Sequence, residues 1–210
     1  MNTPEHPIFL QSIEYIRSKI GLTGLDCVQQ SVLERIIHSS GDLSIQSCLR
    51  FSPKACENAI IALKKGATIL TDTYMAAAAV SSVSRRTLNS NVQCVLERAP
   101  ECIDSSSQTR TAIGMRRMWL DLEKKEEYSE GPVVLIGSAP TALMALLDLI
   151  EEGTSKPSLI IGMPVGFIGV SESKTRLLKS NLSYIVLEGS KGGASLAAAT
   201  VNALLKADAY

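Results

Sequence analysis

Two histidines occur in the 210 residues, in very different settings. His6 lies in the opening stretch MNTPEHPIF. His38 belongs to the run ERIIHSSGD (34–42), three residues after Arg35 and three before Gly41. Imidazole, with an unperturbed pKa of about 6.5, gives and takes protons near neutral pH. Guanidinium grips carboxylates through paired N–H donors. Residues three apart on a helix are neighbours. A proton donor beside an anion clamp is the chemistry this stretch offers, if a helix carries it.

The apolar pattern predicts that helix, from Leu25 to Ser39. At about 100° per residue, Val32, Leu33, Ile36 and Ile37 centre on one side, and Ser31, Arg35 and His38 on the other. Gly41 is the expected stop. A histidine satisfied within the core would sit in the apolar stripe, and this one does not. The helix C-terminus favours an imidazolium and Arg35 opposes it. An exposed histidine that merely complements the helix dipole fits the same residues, so spacing alone leaves both readings open.

Further elements must position these residues. HPIFLQSIEYIRSKI (6–20) carries Phe9, Leu10, Ile13, Ile16 and Ile20 on one stripe and reads as a helix. A third helix is expected to open with Ser52 as N-cap and Pro53 in the first position, closing before Gly66. The pattern then changes. Short runs rich in Val, Ile and Leu recur at 68–72, 92–96, 132–137, 158–163 and 183–189, each as long as a buried strand. Helical segments lie between or after them, at 75–88, 110–127, 140–151, 171–180 and 192–206. Such alternation predicts an α/β fold: five strands, mainly parallel and doubly wound, in an order such as 3-2-1-4-5, with extra N-terminal helices. Ligands of such sheets bind beyond the carboxyl ends of the strands. That directs attention to Asp72-Thr73, Gly137 to Thr141, Gly162 to Gly166 and Gly189 to Gly193. Ala76 to Ala79 reads as part of a tightly packed helix, and 121–130 as a charged, solvated helix end or linker.

Composition narrows the function. Basic and acidic residues balance at 21 each and aromatics are 4%, which argues against a nucleic-acid surface or an anionic membrane partner. No secretory leader or membrane-length apolar run is visible. Five cysteines without a C-x-x-C pair fit reduced thiols in a cytoplasm. Dinucleotide, phosphate-loop and nucleophile-elbow motifs are absent, as is metal-ligand spacing, so no cofactor and no metal are expected.

Several segments together resemble the precorrin-8X methylmutase family of cobalamin biosynthesis, which also acts on cobalt-precorrin-8. They are ERIIHSSGD, LRFSPKA (49–55), TDTYM (71–75), TRTAIGM (109–115), GSAPTALMALLDLI (137–150), IIGMPVGFIGVSESK (160–174) and GGASLAAATVNAL (192–204). In the family's order they extend over nearly the whole chain, so residues 1–210 read as a single methylmutase domain. The resemblance implies a three-layer α/β/α fold and an isomerase that moves the C-11 methyl of its tetrapyrrole to C-12, giving hydrogenobyrinic or cobyrinic acid. It further implies a homodimer with the site near the subunit interface. Family roles fall on His38 as catalytic proton donor/acceptor and on Ser12 and Arg35 as substrate contacts. Thr109, Arg110 and Thr111 fall in the binding region.

Chemistry adds candidates. Arg35 and Arg110 suit carboxylates at the rim of the macrocycle, and backbone N–H groups from Ser138 to Thr141 suit others. The small, apolar stretch around Gly166 suits a flat ring. Asp72 is either a ligand contact or a turn former. Two competing readings are a non-catalytic corrinoid-binding carrier and an α/β nucleotide-binding protein.

Overall fold

A computed structural model describes residues 6–102, 108–124 and 130–207. Part of the charged segment, 125–129, therefore lies outside the described residues. Helix α1 (Pro7–Ile20) starts where His6 Nδ1 accepts the Ile8 N–H and Pro7 fills the first helical position. Helix α2 (Cys27–Ser40) starts at Asp26, which caps the Val28 and Gln29 N–H groups while the Gln29 side chain accepts from the Asp26 N–H. It stops at Gly41, whose φ of 68° is left-handed and whose N–H reaches the Ile37 carbonyl.

Beyond a short helix α3 (Ile45–Cys48), six strands form one sheet: β1 (Leu49–Phe51), β2 (Ile69–Thr71), β3 (Val92–Cys94), β4 (Val133–Ile136), β5 (Leu159–Gly162) and β6 (Tyr184–Leu187). Their spatial order is β1-β6-β5-β4-β2-β3. All pairs are parallel except β1–β6, where Leu49 faces Leu187 and Phe51 faces Ile185. Helices α4 (Ala55–Lys64), α5 (Tyr74–Arg86), α6 (Arg110–Glu123), α7 (Pro140–Glu151), α8 (Val170–Leu178) and α9 (Ala194–Leu205) complete the fold.

Strand residues alternate between two apolar cores. Val133 and Leu135 join Ile36, Ile37 and the apolar faces of α1, α2, α4 and α9 on one side. Val134 and Ile136 join the apolar faces of α6, α7 and α8 on the other. This is the three-layer α/β/α arrangement.

Four expectations need correction. The sheet has six strands rather than five, because LRF pairs antiparallel at an edge. The five expected strands lie in the order 2-1-3-4-5 rather than 3-2-1-4-5. The reversal of winding therefore falls between β2 and β4. Ser52 does not cap α4. Its hydroxyl accepts the Tyr184 N–H at 2.8 Å and its own N–H donates to the Tyr184 carbonyl, which extends the strand contact, and α4 opens after Lys54. The alanine run is only partly packed: Ala76 is buried in α5, whereas Ala78 and Ala79 are exposed.

Candidate functional site

The apolar stripe of α2 anchors the site. Val32, Leu33, Ile36 and Ile37 are buried against the sheet side, so Arg35 and His38 turn away from it. His38 is exposed on the last turn. Its ring meets Phe9 of α1 edge-on, at 5.0 Å between centroids and 84° between planes. Arg35 lays its guanidinium over the same phenyl ring, 4.2 Å from Cζ to the centroid. One aromatic ring thus braces both polar side chains, through contacts worth on the order of 1 kcal/mol each. Ser12 lies about one turn beyond Phe9 on α1, half-buried, its hydroxyl donating to the Ile8 carbonyl.

Beneath this ledge Glu34 is 3% exposed. It accepts Arg17 Nε and Nη2 at 2.7 and 3.0 Å and Gln30 Nε2 at 2.7 Å. The forked pair joins α1 to α2 and so sets how Phe9 meets His38. A cleft of about 250 Å³ runs between the two helices, with Phe9, Ile13, Arg17, Glu34 and Arg35 in its walls.

The end of α2 belongs to the carboxyl edge of the sheet. Asp42, just past the capping glycine, pairs with Lys191 in the loop after β6 and accepts from Ser44. Those donors pull its carboxyl down to about 2. From the opposite layer, the starts of α6 and α7 meet at the same edge. Thr109 caps α6 by accepting the Ala112 N–H, and its Oγ1 lies 3.1 Å from that of Thr111 and 2.6 Å from that of Thr141. Three of the expected substrate residues are thereby brought together where two helix N-termini present partial positive charge. Arg110 is exposed beside them, its Nε donating to the Pro100 carbonyl at 2.9 Å. Gly166, half-buried with a φ of +136°, occupies a conformation that disfavours side chains.

Asp72 and Ser138 depart from expectation. Asp72 is completely buried at the winding reversal, and its Oδ2 accepts the N–H groups of Gly137, Ser138 and Ala139 at 3.0, 2.6 and 2.9 Å. Of the N–H groups expected to receive substrate carboxylates, those of Ser138 and Ala139 are already taken by the Asp72 carboxyl. Asp72 is out of a surface ligand's reach and acts as an internal clamp on the β4–α7 turn. Burial pushes its carboxyl above the ordinary range, with the three N–H donors pulling the other way. Its Oδ1 is buried and has no hydrogen-bond partner among the described residues.

Sequence reasoning placed Phe9 only in an apolar stripe and overlooked Glu34. Nothing in either residue's local pattern signals its contact across the α1–α2 packing. Among the described residues, no helix is long and apolar enough to cross a membrane, and no three His, Cys, Asp or Glu side chains gather as a metal site.

Comparison with known proteins adds identity to this geometry. The sequence model of the precorrin-8X methylmutase family matches residues 7–207. Precorrin-8X methylmutase of Pseudomonas aeruginosa is 39% identical over 201 residues, covering 94% of this chain and 93% of that protein. Cobalt-precorrin-8 methylmutase of Synechocystis sp. is 36% identical, covering 96% and 95%. A crystal structure of precorrin-8X methylmutase from Thermus thermophilus superimposes with a TM-score of 0.83 at 31% identity, over 97% of this chain and 98% of that one. A family match over nearly the whole chain, with agreement in fold and sequence alike, means that the chain belongs to the precorrin-8X methylmutase family and is an isomerase of cobalamin biosynthesis.

Proposed function

We propose that this enzyme shifts the C-11 methyl of precorrin-8X or cobalt-precorrin-8 to C-12, with His38 as general acid/base, the whole chain acting as one cytoplasmic methylmutase domain. The supporting observation is the pairing of an exposed imidazole and a guanidinium on one phenyl brace. An isomerisation leaves no proton behind, so a group that lends one to the ring system must take it back. Imidazole does both at neutral pH. Protonation at a ring nitrogen or nearby carbon polarises the conjugated system and eases methyl migration. Arg35 and Arg110 hold rim carboxylates, Ser12 lies on the same helix as the brace, and the threonine cluster at the starts of α6 and α7 receives further polar groups. Cobalt, when present, travels in the macrocycle as part of the substrate.

The reading includes a homodimer whose partner helps enclose the ring. A cleft of about 250 Å³ is smaller than the usual pocket for a drug-sized ligand, so a tetrapyrrole has to extend over open surface. Phe167 and Ile168, 88% and 89% exposed after β5, offer apolar contact there.

Incubation of the purified protein with precorrin-8X tests the proposal through conversion to the spectrum of hydrogenobyrinic acid. His38→Ala should lower turnover by ~10²–10⁴-fold while leaving thermal stability nearly unchanged, because the side chain is exposed. Full turnover in that variant overturns the acid assignment. His38→Asn with undiminished product binding but no turnover separates catalysis from carriage.

A further inference from the structure

We propose that Lys174 is a positioning residue for the reaction: its buried ammonium holds the loop after β6, and that loop holds the end of α2 that carries His38. The inference rests on His38 being the acid. Lys174 lies in α8 and is 1% exposed. Among the described residues, the hydrogen-bond partners of its Nζ are two carbonyls, those of Gly189 and Lys191, each at 2.7 Å. An ammonium taken out of water without a carboxylate partner is costly, and an apolar side chain of similar length would fill the same space. What the charge supplies is a fixed loop.

The loop passes this constraint on in two directions. Its Lys191 side chain turns outward to Asp42 and Ser44, directly after the glycine that caps α2. Its Ser190 carbonyl accepts the Gly166 N–H at 3.1 Å, and the Gly193 N–H reaches the Met163 carbonyl at 2.9 Å. Gly192 is packed so closely that a Cβ there would lie 2.0 Å from the Met163 oxygen, so the loop has little room to shift. One ammonium therefore sits at the root of contacts that reach both the helix end behind His38 and the Gly166 turn.

A double-mutant cycle tests the path, using Lys174→Met, Lys191→Met and the double variant of the full-length enzyme. Steady-state turnover of precorrin-8X and amide hydrogen exchange are read together. Lys174→Met should accelerate exchange in 189–193 and in 41–44 and lower kcat about ten- to hundredfold, as expected of ångström-scale misplacement, with KM moving less. The two substitutions interrupt one path, so the double variant should fall no more than about threefold below the worse single. Lys191→Met alters the exposed far end without touching the core, and it should by itself accelerate exchange in 41–44 and lower kcat. A kcat within about twofold of the parent in either folded single variant, multiplicative losses in the double, or unchanged exchange in 41–44 would overturn the proposal. Failure of the acid assignment is distinguishable, because it appears as retained turnover in His38→Ala whatever the exchange data show.

Discussion

Arg35 and His38 lie on the face of α2 turned away from the core, braced by one phenyl ring. Asp72 and Lys174, at the same edge of the sheet, are shut inside, and each directs its charge at main-chain groups. Asp72 gathers three N–H groups and Lys174 two carbonyls. The difference shows how a doubly wound sheet has been adapted. The crevice at the winding reversal is where such sheets commonly receive ligands. Here the β2–β4 reversal is filled by the protein's own carboxylate, which leaves no place there for a phosphate and weakens the nucleotide reading. The polar groups proposed to meet the substrate lie farther out, along α1 and α2 and at the starts of α6 and α7.

The largest effect should come from removing the internal carboxyl. Asp72→Ala strips three N–H groups, two of them fully buried, of their acceptor and should cost about 3–5 kcal/mol of stability, read by denaturant melts. Asp72→Asn keeps an accepting oxygen and should cost less. A loss below ~1 kcal/mol in Asp72→Ala would mean that water readily enters the turn, and the contrast between internal clamp and open face would break. Lys174 gives a pH signature next in size. Burial pushes its ammonium down to about 8 from the usual 10.5. The folded protein then releases this proton before the unfolded chain does, so stability should rise as pH climbs from 8 towards 10.5. The gain should be roughly 3 kcal/mol, measured as the parent's advantage over Lys174→Met at pH 10 compared with pH 7. Parallel stability curves for the two proteins would show that the charge is not desolvated.

The open face was more legible in the sequence than the internal clamps. The α2 stripe and the stop at Gly41 depend on neighbours within a few residues, and the structure shows both. Five apolar runs likewise announced five strands, because burial on both faces leaves a local mark. Their spatial order left none, since β2 pairs with β4 through contacts some sixty residues apart. β1 is three residues long, with an exposed Arg50 at its centre and a Ser-Pro that imitates a helix start. Asp72 could be read as turn former or ligand contact because its partners, Gly137 to Ala139, lie equally far along the chain. Thr109 and Thr111 were found through family resemblance and Thr141 as part of a helix start, while their grouping comes from two helix starts that only the sheet brings together.

Two smaller perturbations sharpen the contrast from the side of the open face. Glu34→Ala removes the forked partner of Arg17 and the acceptor of Gln30. Because Arg17 itself reaches solvent, the loss should be about 1–3 kcal/mol rather than that of a fully enclosed pair. It should also lower turnover, since the angle between α1 and α2 sets the Phe9–His38 contact; stability lost without any change in kcat would make the pair purely structural.

Phe9→Leu should have the smallest effect on stability and the most informative one on activity. Leucine preserves most of the half-buried apolar contact but removes the π face beneath Arg35 and the ring edge beside His38. Loss of two contacts of on the order of 1 kcal/mol each predicts a severalfold to ~30-fold fall in kcat/KM and a thermal midpoint within a few degrees of the parent. Phe9→Tyr keeps the ring and should retain most activity. If leucine and tyrosine behave alike, the phenyl ring is packing and not a brace, and His38 and Arg35 owe their placement to α2 alone.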